Sequence, residues 1–300
     1  MYIFPADFDI ETLAPGEAVA VDWSAERYHS DRQTLSRSDL LWLAKDPEGF
    51  ATSRFGPGHE AESRESNSMN LGTLVHTRLL EPERWFEKLA PPRRRPAGWI
   101  GTQKAYDRHR KIVIEHCPGA IDPTDKTRER VEQIAARVRQ HEFARTLLDL
   151  PGHTELTIIW REPETEILCR VRLDKVGELP DGALAVPDLK TAREVRPSEF
   201  AKSIREHGYH VQAALYSDAL AALCPAREVI YGIIAVRNRR PHKVGAWPMA
   251  TRAIEKGREV YMAALRDYKE RTASGDWLEA WEHDYSREID LPEWEYKGRK

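Results

Sequence analysis

Two short runs carry residues able to do chemistry together. The first is Cys169-Arg170-Val171-Arg172-Leu173-Asp174. The second, Asp188-Leu189-Lys190-Thr191, follows fourteen residues after Asp174. In a strand, side chains alternate between faces. Arg170, Arg172 and Asp174 therefore share one face, and Asp188 shares one with Lys190. Two adjacent antiparallel strands then bring Asp174, Asp188 and Lys190 together. Neighbouring carboxylates repel and raise one pKa unless a cation lies between them. A hard divalent ion resolves that conflict, because it prefers carboxylate oxygens and water. A lysine beside it favours hydroxide and a developing oxyanion. Cross-strand ion pairs use the same residue types, and a lone DxK tripeptide is weak. Here four features coincide: Asp174 at a strand end, DLK on the next strand, an upstream His76 on a helix, and a downstream QxxxY helix with Gln212 and Tyr216.

These residues need elements to hold them. Residues 1–34 show no sustained period and read as an irregular arm. A capped helix follows in LSRSDLLWLAKDP, stopping before Pro47. Residues 51–68 are polar and rich in Gly and Ser, which predicts a loop. Leu71, Leu74, Val75 and Leu79 recur at helical spacing around His76. Two helical stretches, about 102–116 and 124–149, complete a helical part. The period then changes to that of strands at 155–160, 166–179 and 182–191. Helices at 197–206 and 209–223, strands at 229–236 and 242–249, and a long helix at 251–273 follow, with a tail from 276 to 300. The order predicts a mixed α/β architecture on a central sheet, with a helical N-terminal part.

Composition sets the bounds. The chain has 300 residues, 46 Lys plus Arg against 49 Asp plus Glu, and a net charge of −3. That excludes a bulk-basic, histone-like DNA binder but not a local basic cleft. Three scattered cysteines without a CxxC pair argue against a zinc finger or an iron–sulfur cluster and fit a reducing, cytoplasmic setting. No run of 18 apolar residues is present, so no membrane span is expected. No GxxxxGK[ST] and no GxSxG occur, which speaks against an ATP-driven motor and a serine hydrolase.

The runs GTLVHTRLLEP, CRVRLD, PDLKT and YHVQAALY, in that order, resemble the PD-(D/E)XK nuclease superfamily. With LSRSDLLWLAKDPEGF they are similar to its phage exodeoxyribonuclease VIII (RecE-type) branch, over about Tyr28 to Tyr216. The resemblance implies a restriction-endonuclease-like sheet flanked by helices, spanning 35–275. It implies metal ligation by His76, Asp174, Asp188 and the Leu189 carbonyl, with Lys190 as the catalytic lysine. Gln212 and Tyr216 match the motif that contacts the site or the DNA. Glu155 is a further acidic group within reach of the site. The first metal-binding Asp is Asp174, so the "PD" of Pro187-Asp188 is a coincidence of letters.

The implied activity is Mg²⁺-dependent hydrolysis of DNA, with Mn²⁺ as a substitute. The implied substrate is linear duplex ends digested 5′→3′ in phage-type recombination. A ring-shaped homo-oligomer and a single-strand annealing protein are the implied partners. For DNA contact the candidates are Ser36, Arg37 and Ser38 at a helix start, where a terminal phosphate or simple capping would suit them. Arg170 and Arg172 either brace Asp174 or bind a phosphate. The turn arginines Arg237 and Arg239 face the backbone or solvent. Two alternatives stay open: a catalytically idle DNA-binding scaffold on this fold, and an endonuclease with another task.

Overall fold

The strand-period stretch between Gly152 and Ala192 becomes the centre of a seven-stranded sheet. In the computed structural model, residues 1–56 and 71–279 are described. Their elements run in this order: β1 (Ile3–Phe4), a 3-10 turn, β2 (Ala18–Val21), α1 (Ala25–Ser30), α2 (Arg37–Leu43), α3 (Pro47–Phe55), α4 (Leu71–Leu80), α5 (Pro82–Lys88), α6 (Gln103–Glu115), α7 (Asp125–Gln140), α8 (Glu142–Asp149), β3 (Gly152–Arg161), β4 (Leu168–Glu178), β5 (Leu184–Ala192), α9 (Pro197–Glu206), α10 (Tyr209–Leu223), β6 (Val229–Arg237), β7 (Val244–Pro248) and α11 (Thr251–Ser274). The strands lie side by side in chain order. β3, β4 and β5 form an antiparallel meander, and β6 runs parallel to β5 after the α9–α10 crossover. The result is the mixed sheet flanked by helices that the pattern predicts. Among the described residues no helix is long and apolar enough to cross a membrane.

Each face of the sheet buries its own core. Val186 and Leu184 of β5 meet α2, α10 and α11 through Leu40, Val211 and Tyr261. Ala185 and Leu189, on the other side of the same strand, meet α4, α7 and α8 through Leu74, Val131 and Leu147. Period-2 alternation thus feeds both layers from one strand. On β4 the alternation slips. Leu173 and Val176, three residues apart, both enter the first core, so the change falls at Asp174 and Lys175.

Three expectations need correction. The arm is not irregular: Ala18–Val21 pairs antiparallel with β3, and Trp23 and Tyr28 are buried. Its strand is four residues long and its partner lies about 140 positions away, so no local period announces it. The expected helix over 124–149 is two helices. His141 is extended between them and caps the second, its Nδ1 accepting from the Ala144 N–H at 3.2 Å. The loop expected at 51–68 begins as helix, because Asp46 caps α3 and Pro47 occupies its first turn. The remainder of that loop from 57, and the tail from 280, lie outside the described residues.

Candidate active site

β4 and β5 pair at only two rungs, Gly177↔Ala185 and Glu178↔Leu184, next to their connection. Three residues further along each strand, the same register sets Asp174 opposite Asp188. There the ladder is replaced by a side chain: Asp174 Oδ2 accepts from the Leu189 N–H at 2.9 Å. This fork opens onto a cleft of about 580 Å³, whose lining includes His29, His76, Glu155, Arg172, Lys190 and Tyr209.

His76 projects from α4 and bridges two strands. Its Nε2 lies 2.7 Å from Asp174 Oδ2, and its Nδ1 lies 3.5 Å from Glu155 Oε1. Glu155 stands on β3 with φ at +53°, a left-handed conformation rare for a side chain of this length. Such a conformation costs on the order of 1 kcal/mol and is held by the surrounding structure. Arg172 does part of that holding, its Nε donating to Glu155 Oε2 at 2.7 Å and its Nη1 to the Trp23 carbonyl at 3.0 Å. Among the described residues, His76, Glu155 and Asp174 make one group of candidate ligands whose donor atoms all lie within 4.8 Å.

Asp188 sits beside this group, nearly fully buried. Gln212 Nε2 donates to its Oδ1 at 2.6 Å, and Lys190 Nζ lies 2.7 Å from its Oδ2. The Lys190 ammonium also faces the Tyr209 ring, 5.0 Å from the centroid. Tyr209 and Gln212 are three apart on α10 and so share one helix face. Tyr216 lies one turn beyond Gln212 and is not among the cleft-lining residues. Its ring meets Tyr231 edge-to-face at 6.4 Å, and burial holds its phenol well above the usual range.

The electrostatics push the two aspartates apart. Burial acts to raise Asp174, but His76, Lys190 and the Leu189 N–H overcome it and hold the carboxyl below the usual range. For Asp188, burial and the neighbouring Asp174 outweigh Lys190 and push it up. Lys190 itself is raised, burial being outweighed by Asp188 and Asp174. Burial disfavours a charged His76, yet the Asp174 and Glu155 carboxylates push it up to about 10. Glu155 is lowered: burial is overcome by His76 and Arg172. The arrangement is a dense patch of negative charge with a proton on His76 where a metal cation would relieve the repulsion.

Of the expected metal ligands, then, the structure gathers His76 and Asp174 and adds Glu155. It sets Asp188 to one side, on Gln212 and Lys190. Leu189 lines the cleft, and its N–H is engaged by Asp174. Glu155 was visible in the sequence as an acid on the preceding strand. Tyr209 carried a signal too, three positions before Gln212. His29, on α1, lies in a six-residue helix too short for a local period to announce it.

The DNA-contact expectations fare differently. Arg170 is buried and spent: it pairs with Asp31 at 3.2 Å and Asp39 at 3.1 Å and donates to Thr34. A guanidinium so enclosed meets no phosphate and does not brace Asp174. Arg172 braces Glu155 rather than Asp174. Ser36 is the N-cap of α2, in a capping box with Asp39. Arg37 donates to the His207 carbonyl, and Ser38 is exposed. The helix start is therefore occupied by its own capping. Arg237 donates to the Arg193 carbonyl at 3.3 Å, and Arg239 is exposed at the β6–β7 hairpin. A roomier cavity, about 710 Å³ between the β3–β4 turn, α10 and α11, holds Asp218, Arg258 and Tyr261. These groups satisfy one another and leave no comparable reactive set.

Comparison with known proteins agrees with this geometry. Residues 55–281 match a family described as a PDDEXK-like domain of unknown function, DUF3799. The chain belongs to that family. A solved protein from Eubacterium rectale, described as a "putative exonuclease", shares the fold with a TM-score of 0.54. The two are 14% identical, over 92% of this chain and 98% of the other. No curated protein matches. The PDDEXK-like match spans α4, the β4–β5 fork and α10, the elements that carry His76, Asp174, Asp188, Lys190 and Gln212.

Proposed function

We propose that this chain is a metal-dependent nuclease that hydrolyses DNA phosphodiester bonds. One observation carries the reading: His76, Glu155 and Asp174 converge beside the Asp188–Lys190 pair at the mouth of an open cleft. Two carboxylates and one imidazole suit a hard or borderline divalent ion, Mg²⁺ or Mn²⁺. His76, Glu155 and Asp174 would hold it, with Asp188 as a further ligand if its carboxylate turns from Gln212. When bound, the ion supplies Lewis-acid polarisation and a water of lowered pKa.

The protein's own groups do the rest. Lys190 stays protonated between Asp188 and the Tyr209 ring, and its charge stabilises the phosphorane-like transition state. Gln212 fixes the Asp188 carboxylate and with it the lysine. Arg172 fixes Glu155. His76 must give up its proton before Nε2 can ligate.

The finer reading is a RecE-type exonuclease acting 5′→3′ on linear duplex DNA in phage recombination. A homo-oligomeric ring and an annealing partner belong to that reading. It rests on the motif order; the Eubacterium rectale neighbour's description supports only the word exonuclease. A linear duplex labelled at either end, incubated with and without Mg²⁺ or Mn²⁺, tests it. Release of label from the 5′ end alone, with a closed circle left intact, is the expected result. A circle cut as fast as the linear form would leave an endonuclease.

A second reading has one observation in its favour. Both Asp188 oxygens are engaged by the protein, which suits an idle DNA-binding scaffold. Metal-dependent binding of the labelled duplex without any cleavage would select it.

A further inference from the structure

We propose that the first two turns of α7 and the β6–β7 hairpin form a second phosphate pocket. It takes a backbone phosphodiester of DNA away from the bond that is cut. The proposal deepens the nuclease reading and rests on it.

The pocket holds about 490 Å³ and is lined by Lys126, Thr127, Arg130, Arg239, Arg240 and His242, among others. The hairpin is fastened to α7: Arg130 donates to the Asn238 carbonyl, and Arg240 donates to Gln133 Oε1 at 3.0 Å. Glu129 also lines the pocket and lies 3.6 Å from Arg240, so one carboxylate is answered within it. Lys126 and Arg239 have no side-chain partner among the described residues, which leaves two cations uncommitted. A helix start adds its own positive potential.

The second observation is His242, which is only 4% exposed. Its Nδ1 lies 3.0 Å from the Arg237 carbonyl, so Nδ1 carries the hydrogen. Its Nε2 is buried with no partner. A buried, unanswered polar atom at the wall of a cationic pocket calls for a ligand. With Nδ1–H held by the backbone, Nε2 is an acceptor left to meet a donor. A phosphodiester seated in the pocket is held by Lys126 and Arg239, and a water bound to it donates to Nε2.

The placement suits a DNA track. β5 and β6 are parallel, with Ala192 level with Arg237, and the Asn238 N–H donates to the Ala192 carbonyl at 2.7 Å. Lys190 is two residues back from Ala192. At strand rise, the hairpin leaves the sheet roughly 7 Å beyond the lysine. The pocket therefore lies at the same end of the sheet as the cleft.

The test is titration of a short, blunt, fluorescein-labelled DNA duplex in EDTA at several salt concentrations, so that nothing is cut. The double variant Lys126→Ala/Arg239→Ala should bind about tenfold more weakly, with a salt slope shallower by about 1 to 2. Both residues are exposed, so folding is not at stake. His242→Asn keeps a donor near the Arg237 carbonyl and removes Nε2, and should weaken binding about threefold. Lys256→Ala/Lys269→Ala on α11 is the control and should change little. An unchanged slope in the pocket variant, or an equal loss in the control, overturns the proposal. The nuclease reading fails separately. If the slope changes as expected but the wild type never cuts DNA with Mg²⁺ or Mn²⁺, the pocket stands and the nuclease falls. If the wild type cuts and the pocket variant binds like it, only the pocket falls.

Discussion

At the scale of single residues, His76 is the group most altered by its surroundings. Its pKa rises from 6.5 to about 10 because Asp174 and Glu155 favour the imidazolium more than burial disfavours it. In the metal-free protein that charge contributes stability fully below 6.5, and the contribution is lost as pH rises through about 10. The melting temperature of the wild type should therefore exceed that of His76→Gln near neutral pH, and the gap should close in alkali. A gap that widens with pH would mean that His76 folds neutral. The catalytic assignments are tested by Lys190→Ala and Asp174→Asn. Each should lower cleavage by ~100-fold or more with an unchanged far-ultraviolet spectrum. Arg170 belongs to stability instead. Removing it strands Asp31 and Asp39 in a buried setting, and Arg170→Ala should cost about 3 kcal/mol in urea unfolding.

At the scale of elements, α10 links packing to chemistry. One of its faces presents Tyr209 and Gln212 to the site, while its backbone lies against α11 at Gly257. A Cβ added to Gly257 would meet the His210 carbonyl and the Val211 nitrogen, which are backbone and cannot yield. Gly257→Ala should therefore destabilise the protein by about 2 kcal/mol or more, seen as a lower urea midpoint. Strand alternation was enough to read Asp174, Asp188 and Lys190 as neighbours from the sequence, since two strands joined by a short turn have little freedom. The order of helices and strands was legible for the same local reasons. Glu155 in the ligand group was harder to see, because its reach depends on a left-handed backbone. The engagement of Arg170 by Asp31 and Asp39 depends on contacts some 130 positions apart, and no local pattern encodes them.

At the scale of the whole molecule, the first 34 residues are part of the sheet and not an appendage. β2 lengthens it beside β3, Trp23 seats Arg172 through its carbonyl, and Tyr28 lies under the Arg170 guanidinium. Removing residues 1–34 should leave the protein insoluble or molten, as judged by lost near-ultraviolet ellipticity. A folded, active truncation would show that this layer is dispensable. The near balance of acid and base also has a spatial reading. Carboxylates gather in the fork, while Arg237, Arg239 and Arg240 cluster at the adjoining hairpin.

The fork between β4 and β5 bears on how the active site should be disabled. Past its two rungs, the Asp174 carboxylate clasps the second strand by holding the Leu189 N–H. A knockout at 174 is thus also a broken fastener. Alanine there removes a ligand and lets the strand bearing Asp188 and Lys190 drift, so its lost activity would not say which mattered. Asparagine keeps an oxygen for the clasp, and Lys190→Ala leaves the clasp untouched. Those two are the substitutions that remove a reacting group without breaking the clasp.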